Sequence, residues 1–254
     1  MNKKRAVIVA LSILIVVLLS GFESSPQRKN RDYYEMRGEV MWEVHTDEKL
    51  IAFTFDDGPN ANTTPLILDV LQQYDAKGTF FVIGNRIEHN ENIIKRQITE
   101  GHEVANHGYS HKFFDRNYPI STINKEITET KNKIFELTGS ISPWFRPPGG
   151  HINDQVVQAA KENGYTVILW SWHQDTKDWR SPGVRFIVKK VLDNARNGDI
   201  VLMHDNVYGS NQTVEALKII LPELKARGFK FVTVSELVRH KKSNEVNKLQ
   251  LDLK

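Results

Sequence analysis

Short apolar runs alternate with longer stretches of mixed polar and apolar residues through most of the chain. The short runs are typical of strands buried in a parallel sheet, and the longer stretches have helical periodicity. Several of the longer stretches end at a glycine, a common helix stop. The predicted strands are residues 50–55, 78–83, 102–105, 143–146, 166–172, 199–204 and 229–234. The predicted helices are residues 64–74, 92–100, 120–137, 154–163, 183–197 and 211–227.

This alternation amounts to about seven strand-helix repeats with parallel crossovers. The pattern contains no second apolar core, so it predicts an α/β fold with one closed or nearly closed barrel. A doubly wound open sheet is the alternative. In both architectures the carboxyl ends of the strands meet on one face, so polar residues that follow the strands are expected to lie close together.

The two ends of the chain depart from this pattern. A basic cluster at 2–5 precedes an uncharged apolar run at 6–22, which predicts a secretory signal or signal anchor over 1–23. The run ends without a clean cleavage site, which favours an uncleaved anchor with the body of the protein exported. Residues 24–47 are predicted to be a linker with an outlying strand, 48–237 the globular domain, and 238–254 a basic, frayed tail.

Composition excludes several kinds of partner and site. The 254 residues are 40% hydrophobic and 26% charged, which fits one globular domain with appendages. Net charge is +3, from 34 basic and 31 acidic residues, and much of the excess lies at the termini, so no nucleic-acid partner is predicted. Cysteine is absent, which excludes disulfides, thiolate ligands and a cysteine nucleophile. Any metal site must therefore use histidines and carboxylates.

Two adjacent acids, Asp56 and Asp57, end the first apolar run and precede Gly58 and Pro59. At a strand end, one acid can bind a cation while the other, its repulsion relieved by that cation, stays ionised and acts as a base. The same four residues are also ordinary turn chemistry. The pair becomes a candidate site only through its partners further along the chain.

His107 and His111 lie four positions apart, just after the predicted strand at 102–105. On one helical turn, this spacing would direct both rings toward one cation. Together with Asp57 they would make three ligands and leave coordination positions open, as in catalytic metal sites. A polar turn with two exposed histidines is the alternative.

Arg146 ends a predicted strand and precedes two prolines and two glycines at 147–150. A guanidinium at a strand end can clamp a carboxylate, and a glycine lets a backbone N–H approach a developing oxyanion. The alternative is a simple turn with Arg146 in a surface ion pair.

Two further segments carry candidate groups. Residues 175–179 follow the most aromatic strand, and an acid there could raise the pKa of a neighbouring histidine while an indole walls a small apolar pocket. His204 ends an otherwise apolar strand, which is where a proton donor for a leaving group belongs. His173 belongs to no motif and is expected to be an ordinary loop histidine.

Five segments together resemble, in order and spacing, the motifs of the polysaccharide deacetylases, the NodB-homology group or carbohydrate esterase family 4. They are residues 54–59, 107–111, 146–149, 175–179 and 202–204, and the resemblance covers 48–237. It implies a distorted (β/α) barrel of seven or eight repeats that hydrolyses N-acetyl groups of N-acetylglucosamine polymers. It also implies one divalent metal, usually zinc, with cobalt or manganese as alternatives.

The resemblance also implies roles for individual residues. Asp56 is expected to be the general base, and His204 the general acid that protonates the leaving amine. Arg146 is expected to orient the base, and Asp178 to tune His204. The expected metal ligands are Asp57, His107 and His111, and the expected substrate-binding residues are Gly149, Trp179 and Leu202.

The chain departs from the family pattern at two places. Gly149 stands where the family usually has an aromatic residue, most often tyrosine, so the backbone N–H is retained but the ring is lost. Residues 172–174 make the approach to the fourth motif longer than usual, which could reshape the substrate groove.

The resulting expectation is a metal-dependent deacetylase of a cell-wall polysaccharide, with peptidoglycan as the expected substrate. The alternatives are an O-acetyl esterase acting on a xylan-like polymer, a non-catalytic carbohydrate-binding relative, and an anchored scaffold that uses a metal only for stability. The protein is expected to be a monomer outside the cytoplasm, anchored in the membrane by its N-terminal segment or secreted to the cell wall.

Overall fold

The computed structural model describes residues 29–115, 117–207 and 209–242. The chain divides into two units, Met1–Tyr33, of which only the last five residues are described, and Tyr34–Lys254. The predicted signal or anchor and the tail from 243 onward lie outside the described residues. Within the described ranges, no helix is both long and apolar enough to cross a membrane.

The described elements follow the predicted alternation, and each predicted strand and helix is present. The strands are β1 (Val40–Met41), β2 (Leu50–Asp56), β3 (Gly78–Val82), β4 (Glu103–Asn106), β5 (Trp144–Phe145), β6 (Thr166–Ile168), β7 (Asp199–His204) and β8 (Lys230–Phe231). The helices are α1 (Arg31–Met36), α2 (Thr64–Gln73), α3 (Gly84–Ile87), α4 (Glu91–Thr99), α5 (Ile120–Thr138), α6 (Asp154–Glu162), α7 (Val184–Leu192), α8 (Gln212–Ala226) and α9 (Val234–Arg239).

The strands form one parallel sheet in the order β1-β6-β5-β4-β3-β2-β7, with β8 also paired to β2. The chain after β6 runs beside β7, because Ser171 donates its N–H to the carbonyl of Ile200 and Thr176 donates to the carbonyl of Leu202. The sheet therefore curls toward closure, in agreement with the predicted barrel and not with an open doubly wound sheet.

The two faces of the sheet are distinguished by alternation along β2. Phe53 and Phe55 pack in the larger apolar cluster, which includes the buried faces of α2 and α8. Ala52 belongs to a second cluster on the inner face. Because side chains alternate along a strand, Thr54 and Asp56 also face the inside of the barrel. The last residue of β2 thus reaches the inner face at the carboxyl end of the sheet.

The end of the domain differs from the prediction. The predicted strand at 229–234 is limited to β8, and the chain then forms α9 where residues 238–239 were expected to belong to a frayed tail. The Thr233 side chain caps this helix by accepting a hydrogen bond from the N–H of Glu236 at 3.2 Å. Val234 and Leu237 are buried in the inner cluster, so α9 packs on the barrel.

The predicted strand at 166–172 is also shorter than expected. β6 ends at Ile168, and residues Trp172–Gln174 form a 3₁₀ turn. Trp172 is exposed, so the aromatic run does not continue the buried strand. The predicted helix at 183–197 likewise ends early, at Leu192.

Gly198 allows two backbones to approach each other just before β7. The Val44 N–H donates to the Gly198 carbonyl at 3.0 Å, and Gly198 has a φ of +82°. A Cβ at Gly198 would lie 1.6 Å from the Val44 carbonyl oxygen. Only glycine fits this position without moving one of the two segments.

Gly198→Ala should therefore destabilise the protein more than an alanine at a glycine with open surroundings. Gly164 is the matched control, because its φ is +80° and nothing lies within 4 Å of its built Cβ. In Gly164→Ala the free energy of unfolding should fall by about 1–2 kcal/mol, because of the positive φ alone. In Gly198→Ala it should fall by about 1–3 kcal/mol more, because the backbone must also move. Urea unfolding measures both, and equal losses would contradict the close approach.

Candidate active site

Polar residues from four strands meet at the carboxyl end of the sheet. Asp56 and His204 are the last residues of β2 and β7, and the parallel register places them side by side. His107 follows β4 and Arg146 follows β5, with the Arg146 N–H donating to the Asn106 carbonyl at 2.9 Å. The strand ends thus bring together residues that are distant in sequence.

Asp57, His107 and His111 converge on one point. Their candidate ligand atoms all lie within 4.8 Å of one another. Asp57 Oδ1 lies 3.4 Å from His107 Nε2 and 2.9 Å from His111 Nε2. One carboxylate and two imidazoles are a donor set that suits zinc and neighbouring transition metals. The residues present therefore fit a divalent metal ion.

The two histidines do not lie on a helical turn, which corrects the expectation drawn from their spacing. Residues 107–111 form a loop in which Gly108 and His111 have φ values of +77° and +58°. The loop is held by Glu126 of α5, whose carboxylate accepts hydrogen bonds from the N–H groups of Tyr109 and Ser110 at 2.9 and 2.7 Å. A buried carboxylate on a helix distant in sequence thus fixes the loop that carries the two histidine rings.

Hydrogen bonds also orient the ligand groups themselves. His107 Nδ1 lies 2.7 Å from the carbonyl oxygen of Arg146, and since a carbonyl can only accept, Nδ1 carries the proton. This leaves Nε2 as the nitrogen that faces Asp57. Asp57 itself has a φ of +77°, and its carbonyl accepts a hydrogen bond from Arg86. Sequence patterns gave no indication of this role for Arg86.

The charge of Asp57 is set by its neighbours. Burial alone would raise the pKa of this carboxyl group, but hydrogen bonds from His107 and His111, together with the charges of His107 and His204, hold that pKa well below its usual range. Asp57 is therefore ionised at neutral pH, which is the form that binds a cation.

Asp56 is held by a buried arginine. Arg146 is 0% exposed, and its Nη1 lies 2.7 Å from Asp56 Oδ1 and 2.8 Å from Thr54 Oγ1. Nε and Nη2 donate to the carbonyls of Ile168 and Leu169 at 3.0 and 2.7 Å. Burial lowers the pKa of Arg146, and the charge of Asp56 opposes this change. The alternative of a surface ion pair is thus wrong, because Arg146 lies inside the barrel.

His204 is paired with a buried acid. The ring nitrogen Nδ1 lies 2.7 Å from Asp178 Oδ1, and the backbone N–H of His204 donates to Asp178 Oδ2 at 2.8 Å. The Thr213 hydroxyl also donates to Asp178 Oδ2, at 2.7 Å. Burial lowers the pKa of His204, but the Asp178 carboxylate outweighs this effect and raises the pKa to about 9. His204 is therefore protonated at neutral pH.

The three expected substrate residues occupy different settings. Leu202 is buried and lies two residues before His204, so both side chains point to the same side of β7. Trp179 is half exposed, with the Arg180 guanidinium 4.4 Å from its ring centre. Gly149 lies in a 3₁₀ turn with a φ of +66°.

An aromatic ring covers Gly149, although it comes from another loop. A Cβ at Gly149 would lie 2.6 Å from Cε1 of Phe113. The Phe113 ring is 54% exposed and packs edge-on against His111, at 5.2 Å between ring centres, and against His151 at 5.8 Å. The space beside Gly149 is thus occupied by a ring. Sequence analysis missed Phe113, which lies two residues after a recognised histidine.

Asp205 is another residue that sequence analysis missed. This fully buried carboxylate follows His204, and its Oδ2 accepts a hydrogen bond from the Thr64 hydroxyl at 2.6 Å. Burial raises the pKa of Asp205 to about 7. A Cβ at Gly58 would lie 2.1 Å from the same oxygen. The glycine after the two acids is therefore required by the packing of Asp205.

The chain is similar to known proteins over most of its length. A family model described as polysaccharide deacetylase matches residues 43–168. A relative from Bacillus cereus, named peptidoglycan-N-acetylglucosamine deacetylase, is 50% identical over 211 residues, which are 83% of this chain and 98% of the relative.

Two solved structures extend this similarity to the fold. The Bc1960 peptidoglycan N-acetylglucosamine deacetylase, in complex with a benzamide compound, matches with a TM-score of 0.76 and 31% identity, over 82% of this chain and 98% of that one. A family 4 acetyl xylan esterase from Clostridium thermocellum, in complex with a cobalt ion, matches with a TM-score of 0.68 and 35% identity, over 74% and 90% of the two chains. The predicted barrel-type fold is confirmed.

The pairing of His204 with Asp178 predicts a pKa change that can be measured directly. Asp178→Asn should lower the pKa of His204 by about 1–3 pH units, because the carboxylate that favours the charged imidazole is removed. A proton NMR titration of the metal-free protein measures this pKa. Asp175→Asn is the matched control, since Asp175 lies in the same loop and accepts its hydrogen bond from the Lys177 N–H. An unchanged pKa in Asp178→Asn would contradict the assignment.

Proposed function

The chain belongs to the polysaccharide deacetylase family, and from this membership we propose that it removes N-acetyl groups from N-acetylglucosamine residues of peptidoglycan. The substrate is taken from the relative that is 50% identical and is matched over 98% of its length. The reaction is hydrolysis of an amide bond, which releases acetate and leaves a free amine on the sugar.

The observation that carries this proposal is the arrangement of acids and histidines around one point. Asp57, His107 and His111 are the proposed metal ligands. Asp56, the proposed base, and His204, the proposed acid, are held side by side at neighbouring strand ends. Amide hydrolysis needs an activated water and a proton for the departing amine, and these residues can supply both.

The proposed steps assign one task to each residue. Bound at Asp57, His107 and His111, a divalent ion would polarise the acetyl carbonyl and lower the pKa of a water molecule. Asp56, oriented by Arg146, would accept a proton from the attacking water. His204, kept protonated by Asp178, would give a proton to the amine nitrogen as the carbon–nitrogen bond breaks. Arg146 and Asp178 are thus positioning residues.

The binding of the acetyl group would use backbone and apolar contacts. The Gly149 N–H makes no hydrogen bond to another described residue and could donate to the oxygen that develops negative charge. Leu202 and Trp179 are the proposed contacts of the acetyl methyl group. The exposed Phe113 ring offers a face on which a sugar could rest.

The native metal and the location of the protein are further parts of the proposal. Enzymes of this family depend on a divalent metal, and we propose zinc because two imidazoles and one carboxylate suit it. Action outside the cytoplasm follows from the substrate. The basic and apolar start of the chain supports attachment to the membrane on the way to the cell wall.

Two alternatives remain as outcomes of one experiment. The similarity to an acetyl xylan esterase keeps ester hydrolysis as the second candidate. A binding protein without catalysis would be expected to lack the base or a ligand, and Asp56, Asp57, His107 and His111 are all present.

Acetate release from a substrate panel should distinguish these functions. The zinc-loaded protein should release acetate from peptidoglycan or N-acetylglucosamine oligomers, and much less from acetylated xylan. Asp56→Asn should reduce turnover by about 10²–10⁴-fold while retaining zinc, since only the proposed base is lost. Asp57→Asn should instead lose the zinc ion bound with His107 and His111. Zinc binding without acetate release from any of these polymers would contradict the proposal, and faster release from xylan would favour the esterase.

Removal of the Phe113 ring should weaken substrate binding more than catalysis. In Phe113→Ala, KM for an N-acetylglucosamine oligomer should rise by about 5–10-fold, which is the value of one aromatic contact, with kcat changed much less. Phe135→Ala is the matched control, because Phe135 is similarly exposed but lies on α5. An unchanged KM would show that the ring does not contact the sugar.

A further inference from the structure

We propose that Glu43, His173 and Asp199 form a second site for a divalent transition-metal ion of the zinc class, at the end of the barrel opposite the candidate active site. Their candidate ligand atoms all lie within 4.8 Å of one another. Asp199 begins β7 and His204 ends it, so the two sites are separated by about 17 Å along the strand. The proposed site is therefore separate from Asp57, His107 and His111.

Backbone contacts bring the three residues together. Glu43 precedes Val44, whose N–H donates to the carbonyl of Gly198 at 3.0 Å, next to Asp199. This approach is so close that Gly198 has no room for a side chain. His173 lies in the 3₁₀ turn Trp172–Gln174, which starts beside Ile200 of β7. The site is thus built from three segments fixed by the closure of the sheet.

The contact between His173 and Asp199 is not an ordinary hydrogen bond. His173 Nε2 lies 2.8 Å from Asp199 Oδ1, yet this buried nitrogen makes no hydrogen bond to any described residue. The carboxylate oxygen must therefore lie off the axis along which the ring nitrogen bonds. Two ligands that converge on one ion have this arrangement, because each points at the ion and not at the other.

Asp199 is buried with its negative charge only partly compensated. It is 2% exposed, and its Oδ2 accepts hydrogen bonds from the Arg196 N–H at 2.8 Å and from Gln174 Nε2 at 2.9 Å. A cation shared with Glu43 and His173 would complete the compensation of this charge.

The spacing of the second cluster resembles that of the first. The His173–Asp199 contact of 2.8 Å is close to the His111–Asp57 contact of 2.9 Å. One imidazole with two carboxylates suits zinc and its neighbours in the first transition row, whereas magnesium and calcium prefer oxygen ligands alone. This comparison identifies the class of ion.

The competing explanation is that His173 pairs with the two carboxylates and the cluster binds no metal. Metal stoichiometry separates the two explanations. The full-length chain is stripped with a chelator, equilibrated with zinc, dialysed and assayed for zinc per chain by mass spectrometry. Wild type should hold about two zinc ions per chain, one at each cluster.

Substitutions assign each ion to its cluster. Glu43→Gln and His173→Gln should each hold about one zinc ion, and His111→Gln about one, while the double variant His111→Gln with His173→Gln should hold almost none. The ion retained in each single variant also shows that the chain has folded. Glu43 and His173 are only half-buried, so glutamine can be accommodated at both positions.

His240→Gln is the matched control. His240 also lies between two glutamates, with Nδ1 2.6 Å from Glu48 and Nε2 3.2 Å from Glu236. Because these contacts use opposite ring nitrogens, they cannot gather around one ion, and His240→Gln should keep both zinc ions. One zinc ion in wild type that persists in His173→Gln and disappears in His111→Gln would overturn the second site and leave the proposed function intact. One zinc ion in wild type that persists in His111→Gln and disappears in His173→Gln would overturn the first site alone.

Discussion

The contact between Arg146 and Asp56 is the interaction on which the rest of the site depends. A guanidinium with 0% exposure loses its hydration, and this loss must be offset by partners inside the barrel. Its Nε and Nη2 reach the backbone carbonyls of Ile168, the last residue of β6, and of Leu169, and its charge lies 4.0 Å from the Phe81 ring centre. Asp56 supplies the only opposite charge in direct contact among the described residues. Loss of either partner would leave the other charge buried and unpaired, at a cost of about 3–5 kcal/mol.

The same contact explains how two adjacent acids acquire different environments. Asp56 is still part of β2, and its side chain faces the barrel interior and Arg146. Asp57 leaves the strand with a φ of +77°, which turns its carboxylate toward His107 and His111. The backbone therefore separates two carboxylates that would otherwise repel each other. Asp56 pairs with Arg146 through Oδ1, whereas Asp57 contacts the two histidines.

Most of the fold could be predicted from local patterns, whereas the residues that hold the site in place could not. Apolar runs and glycine stops located each predicted strand and helix, because these signals lie within one element. The loop at 107–111 was predicted as a helical turn, since nothing in the spacing revealed that Glu126 would bind its backbone. Phe113 escaped notice for the same reason, because its contact with Gly149 exists only in three dimensions. Groups that act through distant contacts leave no local pattern.

β7 connects the two ends of the barrel and gives each a different chemical character. Its carboxyl end carries His204, and its amino end carries Asp199 beside the segments that follow β1 and β6. These segments are where the sheet curls toward closure, so an ion held by Glu43, His173 and Asp199 would stabilise the closure and take no part in chemistry. The chain from Ser171 to Asp178 runs along β7 from one end to the other. Any influence of the second ion on the reaction would therefore be indirect. The ion would affect the position of Asp178, and Asp178 would in turn affect the charge of His204.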